Sequence, residues 1–136
     1  MKNGKYCIAV MSIGSGVGQS VITSCNLSQL PLYTVGLGMN PFAFGAYDCD
    51  VMDYVPLIYA DNYIDELIKK CHQYHIDLII PGSDDEAHIL SKNIDRLEKE
   101  GFKVVVSGVN LLLTQFVRAC CHSAKASFKA CANSIS

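Results

Sequence analysis

The feature that most constrains this chain is an alternation: short, continuous apolar runs of strand length, each followed by a segment with helical spacing. Tyr6-Cys7-Ile8-Ala9-Val10-Met11 is apolar along its length, the pattern of a strand covered on both faces. After a glycine-rich stretch, Val21, Ile22, Cys25 and Leu30 suggest a helix that Pro31 closes. Tyr33-Thr34-Val35-Gly36-Leu37 reads as a second strand, and Phe42 to Tyr47 as a short helix. Asp53-Tyr54-Val55 is a short third strand. Ile64, Leu67, Ile68 and Cys71 then share a helix face, with Asp61 or Asn62 as its cap. Asp77-Leu78-Ile79-Ile80-Pro81 is the clearest buried strand. The amphipathic helix after it runs from Asp84 through Ile89, Leu90, Ile94 and Leu97 to a stop at Gly101. Lys103 to Ser107 is the last strand. Strands spaced by helices of this length imply βαβ units, and hence an α/β fold of three layers: a mostly parallel sheet with helices on both faces.

Composition narrows the function classes. Half of the 136 residues are hydrophobic and 18% are charged, enough apolar material for a buried core. Eleven Lys and Arg against thirteen Asp and Glu give a net charge of −2, so the basic footprint of a general nucleic-acid binder is missing. No apolar run reaches membrane-spanning length, and the residues before Tyr6 do not read as a signal-peptide core, which leads us to expect a cytoplasmic protein without a membrane partner. The seven cysteines are odd in number and contain no Cys-x-x-Cys pair, as expected of reduced thiols used as small hydrophobes.

In an open parallel sheet, ligands sit outside the carboxyl ends of the strands. Three loops therefore carry the candidate site. The first is Gly14-Ser15-Gly16-Val17-Gly18-Gln19-Ser20, where glycines permit a tight turn and the following helix offers free N–H groups to a ligand. It departs from a Walker A loop, having no Lys after its last glycine. It also departs from the dinucleotide fingerprint, because Gln19 stands where a third glycine belongs. The second loop contains Asn40 and Pro41, after a strand that ends at Gly38 rather than at the acid of an NAD binder. The third is Gly82-Ser83-Asp84-Asp85-Glu86, a hydroxyl and three carboxylates at one strand end. Those groups could hold a substrate amine or hydroxyl or ligate a metal, while Ser83 or Asp84 as an N-cap with Glu86 in a capping box is the simpler role. His72, His75, His88 and His122 have no acid or nucleophile at a recognisable spacing and read as helix-end or solvated residues. No catalytic residue and no metal site is assigned.

In their order, Ile13 to Ser20, Val35 to Pro41 and Asp77 to Glu86 resemble the pre-ATP-grasp, Rossmann-like N-terminal domain of ATP-grasp enzymes, with carbamoyl-phosphate synthase large subunits as the nearest branch. The resemblance runs from about Tyr6 to Ser107. It implies that residues 14–20 flank a small-molecule substrate, that Asn40 and Pro41 line the rim, and that Gly82 to Glu86 face it. It also implies ATP and Mg²⁺ for a full-length parent but no cofactor within these residues. An ATP-grasp module would then be the partner, and the chain alone would be inactive as a ligase. The Asp-Lys-bearing helix of relatives has no counterpart at Gln115 to Arg118.

Residues 108–136 add an apolar stripe of Val109, Leu112, Leu113, Phe116, Val117, Cys120 and Ala124, read as a C-terminal helical tail of one domain spanning 1–136. It either packs back on the sheet or joins a partner, such as a second copy in a homodimer. Two other function classes stay open: a stand-alone nucleotide- or dinucleotide-binding domain and a non-catalytic interaction module.

Overall fold

The computed structural model describes residues 4–40 and 42–106. Pro41, Cys120, Cys121, His122, Cys131 and the tail expected over 108–136 lie outside the described residues. Five strands, β1 (Tyr6–Met11), β2 (Leu32–Gly38), β3 (Val51–Tyr54), β4 (Leu78–Ile80) and β5 (Lys103–Val104), form one sheet in the order β3-β2-β1-β4-β5. All four pairings are parallel, with Ala9 opposite both Val35 and Ile79. β1 is therefore central, which explains its unbroken apolar run.

Alternation along β1 divides the core into two layers. Cys7, Ala9 and Met11 join Leu67 and Cys71 of α2 (Tyr63–Tyr74), Leu90 of α3 (Asp84–Lys92) and Leu97 of α4 (Ile94–Lys99). Ile8 and Val10 join Ile22 and Cys25 of α1 (Gly16–Leu27). The three-layer α/β reading holds. Among the described residues no helix is long and apolar enough to cross a membrane.

Boundaries move where capping overrides hydrophobic spacing. α1 starts at Gly16, inside the stretch read as loop, because the Ser15 hydroxyl accepts from the Gly18 amide at 3.0 Å; it ends at Leu27, short of Leu30. The helix expected from Asp84 to Leu97 is two helices, broken at Asn93, whose side-chain amide donates to the Ile89 carbonyl at 2.9 Å. Residues 44–47 form a single 3₁₀ turn. α2 is preceded by Asn62, which makes no side-chain capping bond, and closes on His75 in the left-handed conformation. His72 is not without an acid: it meets Glu100 at 2.8 Å, from a sequence distance that no motif search spans.

Candidate functional site

The loops after β1, β2 and β4 converge at the carboxyl edge of the sheet around a cleft of about 450 Å³. Its polar wall is formed by Ser12, Ser15, Tyr63, Ser83, Asp85 and Glu86. Met39, Phe42, Phe44, Val55, Pro56 and Ile58 supply apolar lining. Phe42 and Phe44 are 79% and 85% exposed, so the apolar wall ends in an open aromatic lip.

The polar wall is a clasp between the first and third loops. Ser12 has a φ of 45°, a left-handed conformation that costs a non-glycine residue about 1–2 kcal/mol. There its hydroxyl donates to Glu86 Oε1 at 2.8 Å, while the Gly82 amide donates to Glu86 Oε2 at 2.9 Å. Ser15 completes the clasp by donating to the Gly82 carbonyl at 2.9 Å. Gly82 is obligatory in this geometry, since a Cβ on it would lie 2.2 Å from the Met11 carbonyl oxygen. Glu86 is 5% exposed, and burial raises its pKa against the lowering effect of the bonds from Ser12, Gly82 and Ser83.

The sequence-assigned residues divide into two sets. Gly14, Ser15, Asn40, Ser83, Asp85 and Glu86 line the cleft. Gly16, Val17, Gly18, Gln19 and Ser20 do not; they are the opening turns of α1, with the Ser20 hydroxyl donating back to the Gly16 carbonyl and the Gln19 side-chain amide to that of Gly14. Gly18 does the work expected of a third fingerprint glycine: its missing Cβ would stand 2.6 Å from the Ser12 carbonyl oxygen, so it lets α1 approach β1. Asn40 Oδ1 accepts from the Phe42 amide at 2.9 Å and shapes the second loop. Gly82 acts from behind the lining through Glu86, and Asp84 is exposed outside it.

Ser83 is the N-cap of α3, as expected, accepting from the Glu86 amide at 3.3 Å. The Glu86 carboxylate does more than close a capping box: it reaches back to Gly82 and across to Ser12. Asp85 accepts from the Tyr59 hydroxyl at 3.0 Å. Among the described residues no group of three or more His, Cys, Asp or Glu is placed to hold a metal.

Sequence reasoning missed Ser12 and Tyr63. Ser12 is the first residue past β1, and Tyr63 lies four residues before Leu67 on the buried stripe of α2. A polar-tipped aromatic at a helix start beside the carboxyl edge was the available signal for the latter.

Comparison with known proteins bears on the fold and the family. A search of curated proteins returns no match. Among solved structures, pyruvate carboxylase from Rhizobium etli, determined with the allosteric activator acetyl coenzyme A, is similar in fold: TM-score 0.60 at 19% identity, over 75% of this chain and 11% of that one. The chain thus spans about a tenth of the length of that carboxylase. Residues 8–105 match the profile of the family described as PylC-like, N-terminal domain. The carbamoyl-phosphate synthase branch is not singled out by either comparison. With most of β1, all of β2 through β5 and all three strand-end loops inside that match, the chain belongs to the PylC-like N-terminal domain family, a pre-ATP-grasp domain of Rossmann-like fold.

Proposed function

We propose that this chain is the substrate-side N-terminal domain of an ATP-grasp ligase, that the cleft holds the non-nucleotide substrate, and that the chain is not catalytic alone. The observation that carries the reading is the convergence of three strand-end loops on one cleft at the carboxyl edge. Among the described residues, Asp85 and Glu86 are the only charged ones lining it, a poor match to a polyphosphate. ATP and Mg²⁺ accordingly belong to the ATP-grasp module of the parent enzyme, which supplies the phosphorylation chemistry. The residues of this chain position the substrate and shield it. The exposed lip of Phe42 and Phe44 supports contact with that module.

The order of the loop motifs favours a carbamoyl-phosphate synthase-like parent, and the thiols of Cys7, Cys25, Cys49 and Cys71 suit a reducing cytoplasm. Against a stand-alone dinucleotide domain, the buried Glu86 carboxylate faces the turn where a pyrophosphate would lie. Calorimetric titration of the chain with ATP, NAD and NADP tests the reading. No dinucleotide binding is expected; micromolar affinity for NAD or NADP would overturn it.

A further inference from the structure

Tyr63 is 2% exposed and lines the cleft, yet its hydroxyl has no hydrogen-bond partner among the described residues. A buried polar group in that state is destabilising unless something pairs with it. Glu86 lines the same cleft, and burial together with its charge pushes the Tyr63 phenol above its ordinary range. Glu86 accepts from Ser12 and Gly82 and is held further by Ser83, and the charge of its carboxylate attracts a cation in the cleft. Asp85 adds a second carboxylate, and neither lysine nor arginine lines the cleft among the described residues.

We propose that the Glu86 and Tyr63 end of the cleft is a head-group subsite for a primary ammonium, carried on a ligand whose apolar body lies against Met39, Phe42 and Phe44. This rests on the cleft being the substrate pocket. An ammonium presents three donors and no acceptor. The Glu86 and Asp85 carboxylates, from the first turn of α3, and the Tyr63 oxygen, from the start of α2, supply three acceptors. A carboxylate or phosphate head would meet two like charges and no counter-ion. An alcohol could bridge Tyr63 and Glu86 but gains nothing from their charge. Tyr63 is therefore a specificity-determining residue, acting on the ligand head and not on the fold.

Calorimetric titration of the full chain with phenethylamine, 2-phenylethanol and 3-phenylpropionate, three probes with one body and different heads, tests the inference. The amine is expected to bind at least about tenfold more tightly than the alcohol, and the propionate not at all. Tyr63→Phe is expected to weaken amine binding about five- to tenfold while leaving the melting temperature unchanged or higher, because no protein hydrogen bond is lost. Propionate binding as tight as the amine would overturn the ammonium assignment and leave the pocket standing. Failure of all three probes to bind would overturn both. Native-like amine affinity in Tyr63→Phe would remove Tyr63 from the subsite even if Glu86→Gln, which also disturbs the clasp, proves unfoldable.

Discussion

The turns leading into α1 and α3 lie side by side at the ends of adjacent strands, and each is capped by a serine: Ser15 accepts from Gly18, Ser83 from Glu86. Their first helical turns differ. α1 opens on Gly16, Val17 and Gly18 without an acid, while α3 opens on Asp84, Asp85 and Glu86. One turn is neutral and compressed against β1; the other brings the charge and reaches over to bond its neighbour. The difference teaches that the cleft's chemical character comes from the third loop, while the first loop supplies shape. A glycine-rich turn before a helix is consequently not evidence of phosphate binding when an adjacent strand end delivers a buried carboxylate to it.

The sharpest way to break this comparison is to add single methyl groups. Gly82→Ala forces a Cβ to within 2.2 Å of the Met11 carbonyl oxygen, and a loss of about 3–4 kcal/mol is expected by urea denaturation. Glu86→Ala strands the Ser12 hydroxyl and the Gly82 amide and is expected to cost about 2 kcal/mol in the same assay. Gly18→Ala meets the Ser12 carbonyl at 2.6 Å, but gains helix propensity, so about 1–2 kcal/mol is expected. Gly16→Ala, with nothing within 4 Å of the added carbon, should be neutral or slightly stabilising. If all three alanine variants at glycine lost equal stability, the division between a shaped loop and a charged loop would fail.

Two carboxylates sharpen the comparison through pH. Burial lifts Glu86 above the ordinary 4.5, so its folded form binds protons more readily than the unfolded chain. Its contribution to stability is fully present below pH 4.5 and is lost as pH rises through the folded value. Asp53, outside the cleft, behaves oppositely. Burial raises it, but the bonds from Lys70 at 2.6 Å and Tyr74 at 2.7 Å prevail and hold it below 3.8. Its contribution is present above pH 3.8 and disappears as pH falls. Stability curves against pH should therefore lose their decline above pH 4.5 in Glu86→Gln and part of their acid-side decline in Asp53→Asn. Identical curves for native and Glu86→Gln proteins would contradict the burial of that carboxylate. The smallest effect is expected for Tyr59→Phe, whose bond to Asp85 is exposed, with no resolvable shift of the urea midpoint.

The sheet was legible because β1 and β4 carry unbroken apolar runs that only central strands need. Helix ends were less so: Ser15 capping three residues ahead of Gly18 and Asn93 bonding back to Ile89 are local bonds that leave no hydrophobic period. Within the site, the strand-end rule found the three loops and the acids of the third. It could not find Ser12, whose role depends on a left-handed backbone and on a contact between residues 12 and 86 that sequence spacing does not carry. Tyr63 was missed because its helix starts beyond those three loops.

The account turns on three loops forming one ligand pocket, and the most direct measurement is an amide-resolved NMR map of the chain titrated with phenethylamine. Shifts confined to residues 12–15, 38–40 and 82–86 together with Tyr63 are the expected result. Shifts confined to a single loop, or centred on the outer surface around Asp95, Glu98 and Lys99, would contradict it.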